Sequence, residues 1–316
     1  MSPFNVLEIC AGAGGCALGL ESAGFEPVAL VENDPHACQT LRHNRPHWPV
    51  VETDLRQFKI SYKKGVDLLS GGVPCSPFSV AGRGLGAQDE RDLFPEALRL
   101  VDEIRPTAVM LENVSGFLAA RFAHYRNQLK SHLQTLGYEV DWQLLNAADY
   151  GISQSRTRVI IVALQKSIST HFTWPAPHTR AASTVGQCLY DVMAERGWLG
   201  VKAWCEKAVR IAPTIVGGSR RHGGADLGPK GTKQAWKALG VDGSGIAADS
   251  PAPDFVGMPR LTLRMVARLQ GFPDDWHFSG SKTAAYRQVG NALPSPVAHA
   301  VASSIRGCIQ AKKTVF

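Results

Sequence analysis

The sequence NVLEI (residues 5–9) is a short apolar run that leads directly into the glycine-rich turn CAGAGG (residues 10–15). Apolar residues then recur at helical spacing as far as Gly24. A strand, a glycine turn and a helix in this order are typical of the first unit of a Rossmann-like parallel sheet, which binds its ligand at the turn. The stretch therefore predicts an α/β fold in which a ligand lies against residues 10–15.

Two acidic residues follow the next short runs of the chain. Glu32 ends the run 27–31, twenty residues after Gly12, and Asp54 follows the run 50–53. A carboxylate at the place of Glu32 accepts hydrogen bonds from ribose hydroxyls in folds of this type, and Asp54 is suited to an adenine amino group. The turn lacks the third glycine of the dinucleotide pattern, and no Lys-Ser or Lys-Thr pair follows it. S-adenosylmethionine, which carries no phosphate, fits these residues better than a nucleotide phosphate.

Composition limits the class of protein. The chain has 316 residues, of which 44% are hydrophobic, and a formal net charge of +7. It contains no apolar run of about 18 residues and no secretory signal, so we expect a cytoplasmic protein that does not span a membrane. Seven cysteines occur without any Cys-x-x-Cys pair, which argues against a disulfide framework and a structural metal site.

A candidate nucleophile follows another predicted strand. Residues 66–70 form an apolar run that paired glycines halt, and the chain continues as GGVPCSPFSVAG (residues 71–82). Open α/β sheets bind ligands where such strands end, and Pro74 and Pro77 restrict the backbone around Cys75. A single cysteine is more often an inert packing residue, so it is this placement that favours a chemical role.

An acid and a row of donors extend the candidate site. Glu112 lies near the carboxyl end of the predicted buried strand 108–114, where an unpartnered carboxylate would be costly. Gln154, Arg156 and Arg158 alternate along an extended stretch, which puts their donors on one side, suited to phosphate or to a base carbonyl. Structural ion pairs explain these residues equally well.

Basic residues concentrate in the later part of the chain. The segment 166–280 holds 14 Lys and Arg against 9 Asp and Glu, which is +5 of the net charge of +7. It includes GGSRRHGG (residues 217–224), a basic loop with little bulk to keep its backbone from a phosphate chain. A polyanionic partner is the function that this distribution favours.

The pattern of elements predicts three segments. The regular alternation of strands and helices stops after Leu164, and apolar residues recur every fourth position in a final helix that begins at Ser295. We predict a catalytic and cofactor-binding domain (1–164), a smaller irregular domain (165–280), and a C-terminal segment that returns to the first domain (281–316).

In this order, the motifs resemble those of the DNA (cytosine-5) methyltransferase family of bacterial restriction-modification systems. The matching pieces are Ala11 to Gly15, Pro74-Cys75 with Phe78-Ser79, Glu112-Asn113-Val114, Gln154-x-Arg156-x-Arg158, Arg264 to Pro273 and Gly290-Asn291. The resemblance implies a Rossmann-like domain that binds S-adenosylmethionine, a small target-recognition domain, and DNA held in the cleft between them. It also implies methylation of cytosine at carbon 5.

The resemblance gives each candidate residue a role. Cys75 corresponds to the nucleophile that adds to carbon 6 of a flipped-out cytosine, and Glu112 to the acid at N3. Arg158 corresponds to the contact with the base O2, and Arg156 to its partner beside the thiolate. The implied cofactor-binding residues are Ala11, Gly12, Gly14, Gly15, Glu32, Asp54 and Asn291. Asn291 is also placed to hold a water that removes the carbon 5 proton.

The implied DNA contacts lie in several segments. They are Ser79, Gln154, Thr214, Arg220 and Arg221. Ser79 begins a glycine-containing loop expected to close over the base, and Thr214 resembles the family's contact with the target phosphate. We expect double-stranded DNA as the partner, a monomeric enzyme, and a cognate restriction endonuclease that acts separately.

Two departures and two rival functions remain at this stage. Cys10 and Asn33 stand where the family often has aromatic residues, so we expect either weaker binding of the cofactor or contacts of aliphatic residues with the adenine. A nucleobase deaminase needs His-x-Glu and Pro-Cys-x-x-Cys for zinc, and this chain has neither, since Phe78 replaces the second cysteine. An RNA (tRNA) cytosine-5 methyltransferase of the same architecture is the main alternative.

Overall fold

The structure is a computed structural model that describes residues 4–60, 65–74, 92–218 and 223–315, with side chains up to residue 311. In this part of the chain the apolar runs form a seven-stranded sheet. Its strands are β1 (Phe4–Ile9), β2 (Phe25–Glu32), β3 (Val50–Glu52), β4 (Leu68–Gly72), β5 (Ala108–Val114), β6 (Tyr138–Asn146) and β7 (Thr157–Gln165).

The sheet has the order β3-β2-β1-β4-β5-β7-β6. β1 pairs parallel with β2 and β4, β2 with β3, and β4 with β5, whereas β7 runs antiparallel to β5. Because parallel strands end at the same edge, the loops after β1 to β5 open together, where α/β folds bind ligands. The arrangement is the predicted Rossmann-like α/β class.

Eleven α-helices are assigned in the described residues. They are α1 (Gly15–Ser22), α2 (Pro35–Asn44), α3 (Phe94–Ile104), α4 (Ala123–Thr135), α5 (Lys166–Ser169), α6 (Val185–Ala194), α7 (Val201–Lys207), α8 (Lys230–Ala238), α9 (Leu263–Leu269), α10 (Lys282–Asn291) and α11 (Ser295–Val315). None of these helices has the length and apolar character that a membrane span requires. Leu100 of α3 and Leu133 of α4 are fully buried in one apolar core with Ile9 and Leu69 of the sheet.

The chain divides into two compact units. The first unit comprises Met1–Leu145, Thr157–Ala176 and Val297–Phe316, and the second comprises Asn146–Arg156 and Pro177–Pro296. In the first unit the last helix is tied to the end of α1, where Arg306 donates to the Ala23 carbonyl at 3.0 Å. The functional division predicted at residues 164 and 280 stays a prediction, because compactness alone does not assign ligands.

Ion pairs join the helices of the irregular second unit. Arg268 of α9 contacts Asp191 of α6 at 2.5 Å and also contacts Asp274, while Arg264 contacts Glu195 at 2.9 Å and Asp274 at 3.0 Å. The hydrogen bond from Arg268 lowers the pKa of Asp274 to about 2. A unit with few long apolar runs is thus crosslinked by fork-shaped donors between its helices.

One carboxylate lies inside the sheet of the first unit. Glu8 of β1 is 1% exposed and stands in register with Leu30 of β2 and Ser70 of β4. Burial removes water from its carboxylate and raises the pKa of Glu8 to about 8. The protonated, neutral form of Glu8 therefore predominates in the folded chain at neutral pH.

This buried acid predicts a pH dependence of stability. We expect the free energy of unfolding to fall as pH rises from 4.5 to about 8, because the folded chain keeps a proton on Glu8 that the unfolded chain has lost. Glu8→Gln, which is neutral at every pH, should gain stability relative to wild type across this range. Urea unfolding at a series of pH values measures both curves. A constant difference between them would contradict a neutral Glu8.

Candidate active site

The glycine-rich turn joins β1 to α1 at the ligand-binding edge of the sheet. Gly12 and Gly14 have φ values of +56° and +92°, a region that side chains disfavour, and Gly14 immediately precedes α1. The Ala11 amide donates to the Val31 carbonyl at 3.1 Å, which ties the turn to β2. These residues therefore form the loop that the sequence predicted.

The carboxylate of Glu32 holds this turn in place. One oxygen accepts a hydrogen bond from the Gly12 amide at 2.8 Å. The other accepts from the amides of Asn33 and Asp34, each at 2.8 Å. The structure thus brings Glu32 to the glycine turn, and it gives this carboxylate a structural role in addition to the predicted contact with ribose.

Asp54 lies near the same turn. It follows β3 and forms an ion pair with Arg56 at 3.2 Å. Burial raises the pKa of the Cys10 thiol, and the carboxylates of Glu32 and Asp54 raise it further. The structure therefore brings together the two predicted acids and a neutral thiol, where the family often has an aromatic residue.

The strand that leads to Cys75 is packed closely between its neighbours. A Cβ atom on Gly71 would lie 2.4 Å from the Ile9 carbonyl oxygen, and one on Gly72 would lie 3.2 Å from Glu112 Oε2. The buried Asn113 amide donates to the Val73 carbonyl at 3.3 Å. The chain therefore enters the predicted nucleophile loop directly beside the carboxylate of Glu112.

Glu112 is paired with one of the predicted donors. Arg158 Nε lies 2.8 Å from Glu112 Oε1, and the two side chains are 15% and 14% exposed. The pairing follows from the antiparallel register of β5 and β7, in which Val114 stands opposite Arg158. The sequence left open whether these residues form structural ion pairs, and the structure shows that Glu112 and Arg158 do. This ion pair joins the predicted acid to the residue that is predicted to contact the base O2.

Gln154 has a different environment from Arg158. Its side chain is fully buried in the second unit, where Nε2 donates to the Leu269 carbonyl at 2.9 Å and to Gln270 Oε1 at 2.7 Å. Its Oε1 accepts from the Ile215 amide at 2.9 Å. A direct contact with DNA would require these bonds to break, so the structure gives Gln154 a structural role.

Arg156 is also buried in the second unit. It is 1% exposed, and its two terminal nitrogens donate to the carbonyls of Ile215 at 2.8 Å and Gly290 at 2.9 Å. Gln154, Arg156 and Arg158 thus have different partners and do not present one open row of donors. The alternation in sequence was correct, but it did not show that the chain folds around the first two side chains.

Two further predicted residues lie in the second unit. Asn291 ends α10, and its Nδ2 donates to the Gly218 carbonyl at 3.1 Å. The Thr214 hydroxyl donates to the Ser155 carbonyl at 2.6 Å. The predicted cofactor contact of Asn291 and the predicted phosphate contact of Thr214 stay predictions. The remaining predicted site residues, Cys75, Ser79, Arg220 and Arg221, lie outside the described residues.

The structure adds a group of lysines that the sequence analysis passed over. Lys230, Lys233 and Lys237 of α8 line a cavity of about 330 Å³ together with Asp242 and Met258. The signal was present in the sequence, because lysines three and four positions apart share one face of a helix.

The strand order and the glycine turn with its carboxylates define the Rossmann-like class of fold, and the partly buried Glu112–Arg158 pair lies at the ligand-binding edge of its sheet. The chain belongs to the C-5 cytosine-specific DNA methylase family, whose sequence profile matches residues 4–307. It is a DNA (cytosine-5) methyltransferase, as the motifs predicted.

Curated relatives agree over nearly the whole chain. The type II methyltransferase M.NgoMIV of Neisseria gonorrhoeae is 53% identical over 305 residues, which covers 96% of this chain and 97% of that protein. The type II methyltransferase M.NaeI of Lentzea aerocolonigenes is 50% identical over 315 residues, covering 98% of this chain and 76% of the relative. The predicted resemblance to restriction-modification methyltransferases is confirmed.

Solved structures confirm the fold. A prophage-encoded DNA modification methyltransferase from E. coli superposes with a TM-score of 0.67 at 23% identity and covers 97% of this chain and 99% of its own. Spodoptera frugiperda DNMT2 gives 0.65 at 18% identity, covering 96% and 99%. At these identities the structural similarity supports the architecture alone.

The bonding of Glu32 predicts how a substitution affects cofactor binding. Glu32→Gln replaces one accepting oxygen by a donating amide, so at least one backbone amide that now donates to Glu32 loses its acceptor. We expect weaker binding of S-adenosylmethionine with little change in DNA affinity, measured by calorimetric titration and duplex binding. Glu26→Gln, on an exposed residue of the same strand β2, is the matched control. Unchanged cofactor affinity in Glu32→Gln would contradict a role in holding the turn.

Proposed function

We propose that this enzyme transfers the methyl group of S-adenosylmethionine to carbon 5 of a cytosine flipped out of a specific DNA duplex, through a transient bond between Cys75 and carbon 6. The observation that carries the proposal is the buried Glu112–Arg158 pair. It lies beside Gly72, in the strand that leads into the Cys75 segment. An acid and a nucleophile from neighbouring strands are what a cytosine needs on its N3 and carbon 6 sides.

The chemistry explains why both residue types are needed. Carbon 5 of cytosine is a poor nucleophile, and addition of the Cys75 thiolate to carbon 6 moves an electron pair onto carbon 5. The same addition pushes negative charge onto the ring, which Glu112 neutralises at N3 by hydrogen bonding or proton transfer. After methylation a water molecule accepts the proton of carbon 5, the electron pair of that bond expels the thiolate, and any proton on N3 returns to Glu112. The enzyme is thereby restored and the base carries the new methyl group.

Arg158 has two tasks in this scheme. Its Nη1 donates to the Thr157 carbonyl at 2.8 Å, so the guanidinium is fixed while Nε holds Glu112. A fixed fork-shaped donor orients the carboxylate before the base arrives. We assign Arg158 the contact with the base O2 as well, because it is held 2.8 Å from the carboxylate that is proposed to meet N3 of the same base.

The residues at the glycine turn fit S-adenosylmethionine. When bound, this cofactor supplies an electrophilic methyl group on a positively charged sulfur. Glu32 and Asp54 provide acceptors for sugar hydroxyls and an amino group, and their negative charge disfavours a ligand phosphate. The turn residues Ala11, Gly12, Gly14 and Gly15 bring their backbone close to the ligand. In this assignment the first unit binds the cofactor.

DNA recognition is assigned to the later, basic part of the chain. The segment 166–280 carries most of the excess positive charge, and the lysines of α8 form one basic face on it. The proposal extends to a monomeric cytoplasmic enzyme that acts separately from a cognate endonuclease. An RNA substrate gains no support, because the likeness to DNMT2 structures shows only the fold, whereas two type II relatives are at least 50% identical to this chain.

Substitution of the nucleophile tests the central step. Cys75→Ser replaces the thiol by a hydroxyl that is far harder to ionise, so methyl transfer should be lost while duplex binding survives. Wild-type protein should form a covalent adduct with duplexes that contain 5-fluorocytosine, since fluorine cannot leave as the carbon 5 proton does. Denaturing electrophoresis detects the adduct, and the absence of an adduct on DNA that the enzyme methylates would refute the mechanism.

The basic face of α8 predicts a salt dependence. Binding should weaken linearly on logarithmic axes as salt rises, with a slope of about −0.9 for each phosphate neutralised. Lys237→Gln should make this slope less steep by about one, measured by fluorescence anisotropy. Lys202→Gln, on an exposed lysine of α7, provides the matched control. Equal slopes for both variants and wild type would exclude α8 from the DNA interface.

A further inference from the structure

Residues 212–218, here called the strap, lie along the segment that carries Gln154 and Arg156. The Ala212 amide donates to the Ser153 carbonyl, and the Ser155 amide donates to the Ala212 carbonyl, both at 2.8 Å. Beyond this short parallel bridge the strap is extended and belongs to no sheet. Its conformation therefore depends on the side chains around it.

Three side chains hold the strap at successive points. Gln154 accepts from the Ile215 amide at 2.9 Å, and Arg156 donates to the Ile215 carbonyl at 2.8 Å. Further along, Asn291 donates to the Gly218 carbonyl at 3.1 Å. Both backbone groups of Ile215 are thus fixed by side chains, which is how an isolated extended segment meets its need for hydrogen bonds.

Two glycines allow the strap to lie directly against the end of α10. A Cβ atom on Gly217 would come within 2.5 Å of Asn291 Oδ1, and one on Gly290 within 2.4 Å of the Gly217 nitrogen. No side chain fits between the two backbones at this crossing. The glycine of the Gly290-Asn291 motif is therefore required by the strap, since its absence of a side chain is what permits the contact.

Arg156 joins the strap to α10 by hydrogen bonds from its charged side chain, in addition to the close packing of the two glycines. Gly290 lies in the last turn of α10, whose carbonyls lack partners within the helix and carry partial negative charge. The guanidinium bridges the carbonyls of Gly290 and Ile215 while it is almost completely buried. Burial of this cation costs free energy, which indicates that the strap and the end of α10 have to keep a fixed relative position.

The strap presents alternate residues outward. Ile215 and Gly217 are buried against the unit, whereas Val216 is 47% exposed and Thr214 is partly exposed. This is the period of two expected for an extended chain. A small hydroxyl and an apolar side chain therefore stand side by side on a segment whose inner side is fixed.

We propose that Gln154, Arg156, Gly290 and Asn291 are positioning residues that lock the strap as a rigid edge, from which Thr214 and Val216 contact the DNA duplex. The inference rests on the proposed function, since DNA is the partner that the edge meets. In this inference Asn291 holds the strap, whereas the sequence predicted that it contacts the cofactor. It also makes Gln154 a support of the DNA contact and not the contact itself.

The test separates DNA binding from cofactor binding. Asn291→Ala removes the hydrogen bond to Gly218 without adding charge, and Gly290→Ala forces the two backbones apart. We expect the DNA dissociation constant and the KM for DNA to rise about tenfold or more, since a misplacement of about 1 Å can cost about 100-fold. The affinity for S-adenosylmethionine should change little.

Matched variants provide the controls. Asn127→Ala changes an exposed asparagine of α4, and Gly307→Ala adds a methyl group to α11 where nothing lies within 4 Å. Both should bind DNA and cofactor as wild type does. Thermal unfolding of each variant shows whether it is folded, and Val216→Ser, on an exposed side chain, tests the outer side of the strap should Gly290→Ala fail to fold.

The outcomes distinguish this inference from the proposed function. The probe is a short duplex that wild-type enzyme methylates, located by bisulfite sequencing. A loss of DNA affinity with unchanged cofactor affinity supports the strap. A loss of cofactor affinity in Asn291→Ala, or unchanged DNA affinity in both Asn291→Ala and Val216→Ser, overturns it while the methyltransferase assignment stands. Absence of any duplex that wild-type enzyme methylates refutes the proposed function instead.

Discussion

The candidate active site depends on the close approach of β4 to the strands on either side of it. Gly71 leaves no room for a side chain against the Ile9 carbonyl of β1, and Gly72 packs against the Glu112 carboxylate of β5. Because the three strands are parallel, their following segments begin at one edge of the sheet. The glycine turn, the end of β4 and the acid Glu112 are brought to that edge by the close packing of the strands.

The second unit uses a different principle. Its segment 212–218 belongs to no sheet, so side chains form the hydrogen bonds that neighbouring strands would otherwise provide. Glycines allow this segment to approach the backbone beside it as closely as strands approach each other in a sheet. Gln154 and Gly290 come from motifs far apart in sequence, yet both contact this segment. A motif that resembles a catalytic one can thus be required because it shapes a neighbouring backbone segment.

The sequence predicted the first unit better than the second for a physical reason. Strand ends can be located from apolar runs, and these runs predict Glu32 and Glu112 near the carboxyl ends of β2 and β5, where the structure has them. The side chains of Gln154 and Arg156 bind four backbone groups and the Gln270 side chain, which lie 59 to 134 residues away, and no periodicity specifies them. The sequence also did not predict that β7 runs antiparallel to β5, although this direction places Arg158 beside Glu112.

The Glu112–Arg158 pair shows what this geometry supplies to the site. Arg158 Nε lies 2.8 Å from Glu112 Oε1, and both side chains are only partly exposed. An ion pair in such a place adds little net stability, because desolvation offsets its attraction. Its value lies in geometry, since a fork-shaped donor that is fixed by the antiparallel register of β5 and β7 holds the carboxylate in one orientation beside Gly72.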